Sequence, residues 1–170
     1  MDYLWSPWRY QYVTTAEQAA ECIFCVLPAQ HRDRENYIVY RGRLNFVILN
    51  RFPYTSGHLM VVPYEHAATL EEVAEETLME TILLVRQAET HLRANYQPDG
   101  LNMGINVGKA AGAGVAGHIH MHVLPRWVAD ANFMTSVGET RVLPEDLSMT
   151  YEKLSRAWRR EPQMDTDAHR

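Results

Sequence analysis

Residues 117 to 127 read GHIHMHVLPRW, and the alternation inside that stretch limits what the chain can fold into. Successive side chains of an extended strand point to opposite faces. Ile119, Met121 and Val123 then line one face, and His118, His120 and His122 share the other until Pro125 stops the pattern. LNMGINVG, starting at Leu101, repeats the pattern, with Leu101, Met103, Ile105 and Val107 alternating with Asn102, Gly104 and Asn106. Two such segments predict neighbouring antiparallel strands. One side packs on a helix and the other forms a floor for something polar.

The rest of the chain supplies the partners for that sheet. RLNFVILN and HLMVVP are dense in β-branched and apolar residues, and the RFPYTSG between them carries the proline and glycine of a turn. Thr69 followed by Glu72 has the spacing of a capping box. Leu78, Ile82, Val85, Ala88 and Leu92 recur every three or four residues, predicting one long amphipathic helix over 69–94. Leu147, Tyr151, Leu154 and Trp158 mark a last helix over 145–160, before a polar tail. The first twenty residues, with Trp5, Trp8 and Tyr10 around Pro7, read as an arm packed onto the body or onto a partner subunit. With no repeat or linker in view, residues 1–170 are expected to form one domain. A net charge of -5 gives no sign of a surface that tracks nucleic acid. No apolar run reaches the roughly 18 residues of a membrane helix, and no signal peptide follows Met1, so the expected compartment is the cytoplasm.

Two features carry chemistry. Cys22 and Cys25, in ECIFC, are the chain's two cysteines, and their spacing fits a redox pair, half of a zinc site or inert thiols. Three imidazoles on one strand fit metal ligation, phosphoryl or nucleotidyl chemistry, or stacked surface rings. Upstream lies GKAAGAGVAG, whose small residues Gly112, Ala113 and Gly114 expose backbone N–H groups able to cradle phosphate. That loop lacks the order of a P-loop. It favours a bound anion without deciding the chemistry.

HIHMHVL, together with LNRFPYTSGHLMVVP, resembles the histidine triad (HIT) superfamily of nucleotide hydrolases and transferases. The LWSPWR arm and the PRWVADANF continuation resemble its bacterial diadenosine tetraphosphate phosphorylase branch. The resemblance implies an α+β fold, an antiparallel five-stranded sheet with one long and one short helix, in a homodimer whose sheet continues across the pair. It implies His120 as the nucleophile at the α-phosphorus and His122 as the group that assists the leaving oxygen. His118 would orient the strand or bind metal, and His58 would support the triad. Asn50 falls where the family holds a ribose hydroxyl, and Asn106 where an amide contacts phosphate. It also implies a structural zinc held by Cys22, Cys25, His66 and His118. Many members carry Gly-Gln-Ser or Gly-Gln-Thr before the triad, whereas GAGVAG leaves phosphate to backbone N–H groups. The roomier wall leans toward inorganic phosphate as a second substrate. The expected enzyme cleaves dinucleoside polyphosphates through a nucleotidyl-histidine. The alternatives are a phosphoramidate or nucleoside monophosphate ester hydrolase, and a nucleotide-binding scaffold.

Overall fold

Strands β2 (Asn45–Leu49) and β3 (Leu59–Pro63) are buried along their whole lengths, which explains why their sequences are continuous apolar runs. The computed structural model describes residues 21–131 and 143–160. Within them β2 and β3 sit in an antiparallel five-stranded sheet of order β1-β2-β3-β5-β4. Strand β1 is Ile38–Arg41, β4 is Gly100–Ile105 and β5 is Met121–Arg126. The expected pairing of the two alternating segments is present, with Met103 opposite Val123 and Gly104 opposite His122.

The sheet is covered on both faces. Val47, Leu49, Leu59, Val61 and Val123 form one cluster with Leu84, Val85, Ala88 and Leu92 of helix α3 (Glu75–Tyr96). Tyr151, Leu154 and Trp158 of helix α4 (Leu147–Arg160) complete it. On the other face Ile38, Phe46, Ile48, Met60 and Val62 gather around Phe24 of helix α1 (Ile23–Ala29).

The expectation of one long and one short helix is overturned, because the described residues contain four α-helices. Helix α1 has seven residues with Pro28 inside, too few to show a 3.6-residue repeat. Its first turn is closed by the Cys22 carbonyl, which accepts from Cys25 and Val26 at 3.0 Å. Helix α2 (Asp33–Asn36) is a single turn, held where Arg41 meets Asp33 and the Pro28 carbonyl, each at 2.8 Å. The long helix also begins later than its sequence suggests. Thr69 makes no side-chain cap and precedes a 3-10 turn at Leu70–Glu72. Glu72 accepts from the Ala68 amide, and Glu65 accepts from the Ala74 amide at the start of α3. Ile82, expected on the buried stripe, is 58% exposed beside Met79 at 66%.

A half-buried polar knot ties the β1–β2 turn to α3. The Glu80 carboxylate accepts from the amides of Arg43 at 2.8 Å and Leu44 at 2.7 Å, and from Asn45 Nδ2 at 2.8 Å. Thr81 donates to Asn45 Oδ1 at 2.9 Å, and Asn45 is fully buried. Gly42 is required here, since a Cβ would stand 2.9 Å from the Asn45 carbonyl oxygen. Glu80→Ala removes one acceptor from three donors, of which the Arg43 amide is exposed and Asn45 Nδ2 keeps the Thr77 carbonyl at 3.1 Å, and is expected to lose about 1–2 kcal/mol in urea unfolding. A loss below about 0.5 kcal/mol would show that the knot is solvated and dispensable.

The aromatic arm at 1–20, the middle of the excursion after Pro125 (132–142) and the tail at 161–170 lie outside the described residues. Among the described residues no helix is long and apolar enough to cross a membrane.

Candidate functional site

The three histidines do not share one strand face. Strand β5 begins at Met121, so His118 and His120 sit in the irregular approach to it, anchored where Ile119 N donates to the Ala67 carbonyl at 2.7 Å. That break lets His118 turn away from the other two. All three rings are buried, His118 at 0% exposure, His120 at 4% and His122 at 9%.

His118 faces the cysteines. Its Nδ1 lies 3.3 Å from Cys22 Sγ and 3.6 Å from Cys25 Sγ, and His66 Nδ1 lies 3.4 Å from Cys25 Sγ. Cys22, Cys25, His66 and His118 thus form a cluster that can coordinate a metal, their ligand atoms all within 4.8 Å of one another. Bonds of about 2.3 Å to sulfur and about 2.0 Å to nitrogen put the S···N edges of a tetrahedral zinc site near 3.5 Å, which these spacings match. The tautomer matches too. His118 Nε2 lies 3.0 Å from the Pro63 carbonyl, which can only accept, so the proton is on Nε2 and the Nδ1 lone pair faces the thiols. Burial and the adjacent Cys22 push the Cys25 thiol up, and a divalent cation between the sulfurs reverses that penalty.

His120 and His122 are set in opposite tautomers by their backbone surroundings. His120 Nδ1 is 2.8 Å from the His118 carbonyl, so Nδ1 carries the proton and Nε2 keeps its lone pair. Burial holds this imidazole below its ordinary range, with the His118 carbonyl opposing that shift. On the other side the Tyr54 amide donates to His58 Nδ1 at 3.2 Å. His58 must then carry its proton on Nε2, which is 2.9 Å from His122 Nδ1. His122 accepts there and carries its own proton on Nε2. One ring offers a lone pair and its neighbour, 4.9 Å away between centroids, offers a hydrogen.

The remaining expected residues fall around this pair. Asn50 accepts from the Phe52 amide at 2.9 Å, and its Nδ2 lies 3.3 Å from His58 Nδ1, so it is placed against the supporting histidine. Asn106 follows Ile105, whose pairing with Met121 is the last between β4 and β5, so it leaves the sheet at the end where His120 precedes β5. In the glycine-rich loop the Gly112 and Ala113 amides donate to the carbonyls of Lys109 and Gly108, at 2.9 and 3.3 Å. Gly114 is the amide these two turns leave unused. Gly108 and Gly112 take positive φ, at 79° and 87°, which suits residues without a Cβ.

Two site residues escaped the sequence reading. Phe24, between the two cysteines, packs its ring 5.5 Å from His118 and 5.0 Å from His120. Its position inside the CxxC was the available signal. Tyr54 contributes its amide and stacks 4.8 Å from His58, and nothing in RFPYTSG singles it out.

Comparison with known proteins agrees with this geometry. A family model described as HIT domain matches residues 31–128. The AP-4-A phosphorylase of Mycobacterium tuberculosis (strain CDC 1551 / Oshkosh) is 37% identical over 166 residues, covering 94% of this chain and 85% of its own. A crystal structure of a Zn-bound histidine triad family protein from Mycobacterium smegmatis is similar at a TM-score of 0.65 and 29% identity, over 81% of this chain and 92% of that one. A hypothetical histidine triad nucleotide-binding protein from Sulfolobus tokodaii gives a TM-score of 0.65 at 27% identity, over 80% and 91%.

Proposed function

Because this chain belongs to the HIT domain family of histidine triad proteins, we propose that it cleaves dinucleoside polyphosphates through a nucleotidyl-histidine, with inorganic phosphate as the preferred acceptor. The observation that carries this reading is the pair of opposite tautomers on His120 and His122.

The His120 Nε2 lone pair attacks the α-phosphorus, and the bond from that phosphorus to the bridging oxygen breaks. The electron pair leaves on that oxygen, which departs as a polyphosphate anion accepting a hydrogen bond from His122 Nε2–H, and the ring keeps its proton. The incoming phosphate dianion then attacks the nucleotidyl phosphorus through an unprotonated oxygen, the phosphorus–nitrogen bond breaks and His120 recovers its Nε2 lone pair. Water attacking in its place releases its proton to solvent, and the His122 Nε2–H donates to the phosphoryl oxygens in either case. The His118 carbonyl stabilises the positive charge that develops on His120 by accepting its Nδ1 hydrogen throughout. Asn106, which follows the last β4–β5 pair, and the Gly114 amide are the groups proposed to hold phosphate oxygens. Phosphorolysis is favoured by the likeness to the Mycobacterium tuberculosis AP-4-A phosphorylase and by the small residues before the triad.

Zinc is the metal assigned to Cys22, Cys25, His66 and His118. Held by these four residues, it would supply a structural clamp between α1 and the start of the catalytic segment and no step of the bond cleavage.

Diadenosine tetraphosphate incubated with phosphate should give ADP and ATP, and without phosphate a slower yield of AMP and ATP. Two ADP as the sole product pair would contradict attack at the α-phosphorus.

The chain is further proposed to act as a homodimer. Among the described residues β4 pairs on one side only and carries exposed Met103, while α3 presents Met79 and Ile82. An open edge and apolar residues outside the chain's own core are the features a second copy covers. Sedimentation equilibrium at micromolar protein should give twice the 19.6 kDa chain mass. A single-chain mass without concentration dependence contradicts the dimer.

A further inference from the structure

Beyond His122 the same strand face runs on to Leu124 and Arg126, and there it borders a cavity of about 680 Å³. Tyr54, Tyr96 and Trp127 line it, with Asn102, Leu124 and Glu145 among the other lining residues. It is separate from the metal cluster and shares one wall with the triad. Tyr54 lines the cavity, and its ring stands 6.2 Å from the His122 ring.

The charges at this wall are matched in pairs. Arg126 meets both oxygens of Asp130, at 2.5 and 2.7 Å, and donates to Asn102 Oδ1 at 2.6 Å. Lys153 meets Glu145 at 2.7 Å and lies 4.3 Å over the Tyr96 ring. Tyr96 donates to the other Glu145 oxygen at 3.3 Å. Burial pushes the Tyr96 hydroxyl up, so it stays neutral. A wall of this kind does not select a phosphate. It suits a flat, uncharged heterocycle that stacks on rings and uses a few hydrogen bonds. Asn102 is placed to supply one. Its Oδ1 is committed to Arg126, which orients its Nδ2 donor.

We infer that this cavity holds the nucleoside of the departing half of the substrate. This rests on the proposed cleavage at His120 and adds a second nucleoside site on the His122 side of it. At about 3.3 Å per residue, Leu124 and Arg126 lie about 7 and 13 Å from His122 along the strand. A polyphosphate tether must span that gap, so the cavity selects for a nucleoside at the far end of a long phosphate chain and rejects short ones.

The test compares diadenosine tetraphosphate with adenosine 5′-tetraphosphate, which presents the same α-phosphorus but no nucleoside on the departing side. Wild-type protein should favour the dinucleoside at least tenfold in kcat/KM. Tyr96→Leu, which removes a ring, and Asn102→Trp, which fills the space, should each bring that ratio to within twofold of one. A wild-type ratio near one, or an unchanged ratio in both variants, overturns the inference. Cleavage of neither tetraphosphate means that the proposed function has failed, and the cavity is then judged by photolabelling with 8-azidoadenosine. Label on the peptides carrying Tyr96 or Trp127 supports the site, and label absent from both overturns it.

Discussion

His120→Ala should lower turnover of diadenosine tetraphosphate by about three orders of magnitude or more while leaving the fold in place. The size follows from the role. Covalent catalysis divides one difficult displacement into two easier ones, and no other described side chain shares the geometry of this ring. His58 keeps its proton on the nitrogen facing His122, and the Nδ1 lone pair of His118 faces the thiols. Neither can substitute. The fold survives because the lost contacts are few, chiefly the ring packing on Phe24 at 5.0 Å and one bond to the His118 carbonyl. Circular dichroism should be unchanged, and the thermal midpoint should fall by only a few degrees. Near-normal turnover in the folded variant would remove His120 from the chemistry.

The double variant Cys22→Ser, Cys25→Ser has the second-largest expected effect, and it falls on stability. Protein purified without added metal should contain close to one zinc per chain, and the variant should contain almost none. Structural zinc can contribute about 10 kcal/mol of apparent binding energy, much of it realised as folding energy. Even a fraction of that should lower the melting temperature by more than about 10 °C. The folded remainder should keep part of its activity. The His118 carbonyl that orients His120 is a backbone group, and the His118 ring retains its bond to the Pro63 carbonyl at 3.0 Å. Negligible metal in the wild type, or one zinc per chain in the double variant, would sink the clamp.

The sheet and the site were legible in the sequence to different depths. The pairing of β4 with β5 follows from two alternating runs, since a period of two leaves little freedom in how they face a core. The metal cluster followed from resemblance, because ligands separated by about ninety positions have no local signature. The extra helices were hidden for a physical reason. Helices α1 and α2 are too short to repeat, and they exist because Phe24 fills a gap against the sheet and Arg41 clamps Asp33. Ile82 was placed on the buried stripe because periodicity reports which residues are apolar, not which apolar face meets the chain's own core. The tautomers lay beyond any sequence reading. They depend on the His118 carbonyl and the Tyr54 amide, backbone groups whose direction is set only when the chain folds.

The direct test of the central claim is to quench the protein with diadenosine tetraphosphate in the absence of phosphate, at times shorter than one turnover, and to map the adduct by mass spectrometry. A nucleoside monophosphate carried on His120, acid-labile and discharged as ADP when phosphate is added, is the predicted result. Burst-free turnover with no adduct on any histidine, even with the acid-stable peptides fully recovered, would contradict it.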